Sequence, residues 1–264
     1  MSVAAGQDTI AAAFASAPGR AALMPYLMGG FPDLGTSLAI GRAYADAGAD
    51  LVELGVPFSD PLADGPVIHA AGTRALATGA TVHGVLDVGR ELAETVPVVL
   101  MCYANLVFAR GAERFADDLA ARGISGLIVP DLPLEEAGDA LGACDGAGIA
   151  LVGLVAPTTP DDRLAAIGRT GRGFVYIVSV TGTTGEREGA PTGLPAMIER
   201  TKARSDVPVA VGFGIGTPES ASNAVDAGAD GVIVGSRLVR AAAESPEPAA
   251  AVAELVAGFA EALR

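Results

Sequence analysis

The sequence predicts a single α/β domain over residues 1–264, a (β/α)8 TIM-type barrel with an extra N-terminal helix and an extra helix around strand eight. Three observations predict it. The length of 264 residues is close to the ~250 that one such barrel needs. One phrase recurs along the chain: a helical stretch, a glycine-containing break, then a short apolar strand. And the strands are continuously apolar rather than alternating, as a parallel sheet covered on both faces requires.

The elements follow in order. Ile10 and Phe14 lie four apart among alanines, which predicts a short amphipathic helix. Strands are expected at 22–27, 50–54, 97–101, 126–130, 149–155, 174–179, 208–212 and 231–235, with helical patterns such as 36–47, 112–122, 161–168 and 193–204 between them. Asp46-Ala-Gly-Ala-Asp50 leads into the second strand, and the identical pentapeptide, Asp226-Ala-Gly-Ala-Asp230, leads into the eighth. A looser copy, Ala121-Arg-Gly-Ile-Ser125, leads into the fourth. In each the glycine ends a helix in the left-handed conformation. An open doubly wound sheet is the competing architecture. Eight regular units, and no Gly-x-Gly-x-x-Gly turn after the first strand, favour the barrel. The stretch 244–248 reads as a joint between two helices around the last strand.

The formal net charge of −14 argues against nucleic acid, whose binding rests on clustered Lys and Arg. It leaves a phosphorylated small molecule open, because backbone amides at a helix N-terminus hold one phosphate without basic side chains. Cys102 and Cys144 are the only cysteines, so a disulfide framework is not expected. No basic start precedes an apolar run, and no segment reaches the ~20 apolar residues of a membrane span. A cytoplasmic location is the expectation.

Barrel chemistry sits at the C-terminal ends of the strands, and polar residues out of character point to it. Glu53 lies inside Leu51-Val-Glu-Leu-Gly55, on a strand lining the barrel. A buried carboxylate is costly unless paired, and burial raises its pKa towards acid–base work; pairing with an arginine is the structural alternative. The following loop presents Asp60 and Asp64 between Pro57, Pro61 and Pro66. Two carboxylates in different environments suit paired proton transfers. Val211-Gly-Phe-Gly-Ile-Gly216 after strand seven and Val234-Gly-Ser236 after strand eight, with a helix expected at 236–243, match the common barrel phosphate site. The Gly- and Thr-rich Thr181–Gly193 segment after strand six reads as a lid. Lys202, the only lysine, falls in a helical pattern, which excludes a Schiff-base aldolase; His69 and His83, the only histidines, form no metal-ligand pair, so no metal is expected. What remains is carboxylate chemistry on a phosphorylated substrate.

The run Leu51-Val-Glu-Leu-Gly-Val-Pro-Phe-Ser-Asp-Pro-Leu-Ala-Asp-Gly-Pro66 resembles the signature of the tryptophan synthase alpha subunit family, the indole-3-glycerol-phosphate lyases. Met101 followed by Tyr103-Ala-Asn-Leu-Val107, Pro130-Asp-Leu-Pro133, Tyr176, Gly212-Phe-Gly-Ile215 and Gly235-Ser236 extend the similarity over essentially the whole chain. The resemblance implies a cofactor-free retro-aldol cleavage giving indole and glyceraldehyde 3-phosphate. Glu53 would be the acid–base residue and Asp64 the group that binds the indole N–H. Tyr176 would support Glu53, and Tyr26, Leu100, Leu154 and Phe213 would line the indole pocket. Gly185, Gly214, Gly235 and Ser236 would hold the phosphate, while Thr184 would reach Asp64. It also implies an alpha2-beta2 complex with a beta subunit that carries pyridoxal phosphate and receives the indole, with Pro57 and Asp60 near the interface. A different phosphate-binding barrel, such as a sugar-phosphate epimerase, a non-catalytic activator, or a stand-alone indole-producing lyase are the other readings.

Overall fold

The computed structural model describes residues 5–17, 21–178 and 193–264. Its sheet is parallel throughout and contains β1 (Ala22–Met28), β2 (Val52–Gly55), β3 (Val98–Met101), β4 (Gly126–Ile128), β5 (Ala150–Leu151), β6 (Gly153–Val155), β7 (Val175–Ile177), β8 (Val209–Val211) and β9 (Gly231–Val234). The strand order is β5-β4-β3-β2-β1-β9-β8-β7-β6. β5 and β6 are the two halves of the strand expected at 149–155, divided at Val152. The first half pairs with β4 and the second with β7. One strand therefore joins both ends of the ladder, and this closes the eight-unit barrel that the repeats predict.

Alternation along these strands separates two apolar layers. Met24, Leu51, Val99, Ile128, Ala150, Val152, Phe174, Ala210 and Ile233 fill the barrel interior together with Ile10 and Ala13 of the helix Ala5–Ala15. That helix is the extra N-terminal one, and it packs its apolar side into the barrel. Gly6 makes the approach possible: its N–H donates to the Gly148 carbonyl at 3.0 Å, and a side chain there would overlap the Ser125 and Gly148 carbonyls. The intervening strand residues, such as Leu23, Val52, Leu54, Leu100, Val175 and Val232, face the surrounding helices.

The outer helices are close to expectation at 34–46, 112–120, 161–170 and 194–202, and Ser236–Glu244 and Pro248–Ala262 flank the last strand. The last of these packs against Leu34–Asp46. Gly48 and Gly228 have φ values of 101° and 102°, the left-handed conformation their repeats require. The aspartate ending each pentapeptide does a second job. The Asp50 N–H donates to the Leu23 carbonyl while its carboxylate accepts the Leu23 N–H, both at 2.9 Å. Asp230 makes the same reciprocal pair with Val209, at 2.8 and 2.9 Å. Each aspartate thus clasps the start of the strand beside its own. Among the described residues no helix is long and apolar enough to cross a membrane.

Candidate active site

β2 is short because the chain must reach the barrel mouth and turn at once into the proline-rich loop. Along it Leu51, Glu53 and Gly55 occupy the inward positions, and Glu53 stands beside Tyr26 of β1 and Val99 of β3. Its side chain is 1% exposed, the only Asp, Glu, Lys or Arg buried among the described residues. Among the described residues no arginine forms an ion pair with it, and its Oε2 has no hydrogen-bond partner. Burial first, and then the charge of Asp64, raise its pKa to about 8. At neutral pH this carboxyl is mostly protonated, and so it is an acid facing a cavity.

Asp64 approaches from the loop that ends at Gly65, where the helix Pro66–Ala77 begins. It is half-buried, and burial raises its pKa, opposed by a hydrogen bond from Tyr103 and by nearby His69. The Tyr103 hydroxyl donates to Asp64 Oδ1 at 3.0 Å. The two carboxyl groups therefore differ in the way acid–base pairs must. One is buried, with an oxygen that no described residue bonds, and the other is hydrogen-bonded and partly solvated.

Two tyrosines complete the wall. Tyr26 is buried and Tyr176 half-buried, and desolvation holds both phenols well above their ordinary pKa, reinforced by the charges of Asp64 and Glu53 at Tyr26 and of Glu53 at Tyr176. Glycines make room for them. A Cβ at Gly55 would overlap the Tyr26 hydroxyl, and one at Gly212 would overlap the Tyr176 hydroxyl and ring. The cavity these groups line measures about 900 Å³ and also touches Leu154, Ile128, Met101, Ile233, Gly212, Gly235 and Ser236. Gly235 caps the helix Ser236–Glu244, so the start of a helix opens on the cavity, where free backbone N–H groups and the helix dipole favour an anion.

Of the residues expected from the sequence, the structure brings Tyr26, Glu53, Asp64, Leu154, Tyr176, Gly235 and Ser236 to this one cavity. Leu100 is corrected: it is fully buried in the layer between barrel and helices, and its neighbour Met101 lines the cavity instead. In a strand a shift of one residue reverses the face. Phe213 packs half-buried against that same outer layer, and Gly214 takes φ 72° in the loop after β8; neither lines the cavity, whereas Gly212 does. Thr184, Gly185 and all but the last residue of the Thr181–Gly193 segment lie outside the described residues. Pro57 is buried and Asp60 exposed on the loop that carries Asp64. Sequence reasoning gave no role to Tyr103, Ile128 or Ile233. The last two share the inward face of strands whose other residues were read only as apolar.

Comparison with known proteins agrees with this geometry. The family model described as tryptophan synthase alpha chain matches residues 13–263. The tryptophan synthase alpha chain of Prochlorococcus marinus is 50% identical over 233 residues, covering 87% of this chain and 85% of the relative. That of Synechocystis is 48% identical, covering 86% of each. A structure of Mycobacterium tuberculosis tryptophan synthase superposes with a TM-score of 0.91 at 39% identity, covering 97% of this chain and 98% of the other. A chain from the tryptophan synthase alpha2-beta2 complex of Pyrococcus furiosus does so with a TM-score of 0.86 at 37% identity, over 91% and 98%. An inward carboxyl opposed by a loop carboxylate, with a helix N-terminus opening on the same cavity, is thus set on a fold shared along nearly the full length of these proteins, and the chain belongs to the tryptophan synthase alpha chain family.

Proposed function

We propose that Glu53 and Asp64 carry the lyase half-reaction of tryptophan synthase in this chain, the cleavage of indole-3-glycerol phosphate to indole and glyceraldehyde 3-phosphate. The observation that carries this assignment is the buried Glu53 carboxyl, whose Oε2 has no partner among the described residues and whose pKa is raised to about 8, facing the cavity that Asp64 also enters. Protonated Glu53 delivers its proton to C3 of the indole ring. The C–C bond to the glycerol phosphate then breaks as the resulting Glu53 carboxylate removes the proton of the adjacent hydroxyl, which becomes the aldehyde. The proton given is the proton recovered, so the cycle closes with no cofactor; pyridoxal phosphate belongs to the partner's half-reaction. Anionic Asp64 accepts the indole N–H and stabilises the positive charge that develops on the protonated ring. Tyr176 and Leu154 pair across β6 and β7 and pack the apolar side of the ring.

The beta subunit is the proposed partner and receives the indole. The rim carries apolar surface suited to one: Leu62 is 89% exposed on the Asp64 loop and Phe108 is 45% exposed at the end of the helix Ala104–Phe108. A biosynthetic lyase of this kind fits a cytoplasmic location. Indole release from indole-3-glycerol phosphate, measured with and without beta subunit, tests the activity directly. No indole under either condition would overturn it.

The phosphate is proposed to sit at the N-terminus of Ser236–Glu244. Ser236→Asp separates that role from folding. An acidic residue in the first turn favours the helix itself, but it sets a negative charge against a dianion. At ~4 Å in water this repulsion is about 2 kcal/mol, so glycerol-phosphate affinity should fall roughly 30-fold, with thermal stability retained. Unchanged affinity by calorimetry would place the phosphate elsewhere.

A further inference from the structure

Asp64 can bind the indole N–H only if its carboxylate is held in one place, yet it rides on a loop whose neighbour Leu62 is almost fully exposed. Tyr103 supplies the fixed point. Its ring is 2% exposed and stacks on Phe58, with centroids 5.2 Å apart and planes inclined by 24°. Its hydroxyl makes two bonds to that loop, donating to Asp64 Oδ1 at 3.0 Å and accepting the Ala63 N–H at 3.1 Å. The backbone beneath it is tied down as well. Cys102 donates its N–H to the Ile128 carbonyl at 3.0 Å, and Ala104 donates its N–H to Asp131 Oδ1 at 2.8 Å. One rigid phenol at the end of β3 therefore grips the Asp64 loop at three places: Phe58, Ala63 and Asp64.

We propose that Tyr103 is the positioning residue of this site, orienting the Asp64 carboxylate towards the indole N–H and keeping it ionised. The proposal rests on the role assigned to Asp64 above. A donated hydrogen bond favours the charged form of a carboxylate, so Tyr103 offsets part of what burial does to Asp64. The other groups facing Asp64 are Glu53 on β2, Tyr26 on β1 and His69 on the following helix. Of the described groups only Tyr103 donates a hydrogen bond to it.

Tyr103→Phe keeps the ring and its stacking but removes both loop bonds. It should lower kcat for indole release about 10- to 100-fold, the scale of a lost hydrogen bond to a charged group, with a smaller change in KM. The acid limb of its pH–kcat/KM profile should move to higher pH, because Asp64 has lost the donor that favours its anion. Introducing 3-fluorotyrosine at position 103, which preserves the fold and makes the phenol a stronger donor, should move that limb the other way. On an Asp64→Asn background, Tyr103→Phe should cost little more. An acid limb unmoved in both Tyr103 variants, or a full additional loss on the Asp64→Asn background, would overturn the proposal. Wild-type turnover in Asp64→Asn itself would instead overturn the Asp64 assignment on which it rests.

Discussion

Replacing Glu53 by Gln is expected to lower the rate of indole release by ~10²-fold or more, the usual scale for a general acid–base group. Gln fills the same space and cannot give or take a proton. In the wild-type protein the same residue should set the basic limb of the pH–kcat/KM profile. The acid form does the first step, and its pKa of about 8 means that activity falls as pH rises through about 8. The same group also ties stability to pH. Glu53 is protonated in the folded state and ionised in the unfolded one between about 4.5 and about 8, so the folded state binds more protons there and stability declines with rising pH across that window. Glu53→Gln removes this decline, and the variant should melt at a higher temperature than wild type at pH 8 and with little difference at pH 4. A folded Glu53→Gln protein with wild-type turnover would remove Glu53 from the chemistry.

The second large effect is expected from Gly212→Val, a change that touches no proton. Gly212 has room for no side chain, since a Cβ would overlap the Tyr176 hydroxyl and ring. Tyr176 is half-buried, and the open direction left to it is the cavity it lines, where the indole ring is proposed to bind. A shift of ~1 Å at a reacting centre costs about 10²-fold, so kcat/KM should fall by about that much, with a substantial share in KM because the pocket itself is narrowed. Beta-subunit binding, measured separately, should persist, since Gly212 lies inside the barrel. A variant with unchanged KM for indole-3-glycerol phosphate would show that Tyr176 can yield without entering the pocket.

The fold was legible because its signals are local and repeated. Five of the strands, β2, β4, β5, β7 and β9, follow a glycine that the backbone uses at positive φ: Gly48, Gly123, Gly148, Gly173 and Gly228. The division of the fifth strand at Val152 was not legible. All of 149–155 is apolar apart from glycine, and the break arises because one stretch must pair with β4 on one side and β7 on the other. Glu53 stood out because a carboxylate among apolar residues has few structural uses. Leu100 was misplaced for the reason that makes buried parallel strands easy to find: with both faces apolar, the pattern does not say which side chain points inward. Tyr103 carried no signal as a lone residue. Its role depends on a loop 40 positions earlier in the sequence coming to rest on its hydroxyl, a relation that only the closed barrel supplies.

The paired aspartate clasps bear on how freely such a protein can change. Asp50 and Asp230 fasten neighbouring strands at the end of the barrel where the strands begin, while Glu53, Asp64 and Tyr103 gather where they finish. One pentapeptide serves twice at the closed end because its task is generic, and each open-end loop is different because its task is not. Strand register is thus set independently of the loops that recognise substrate. Loop sequences can differ, lengthen or take on other specificities without disturbing the fastening beneath them.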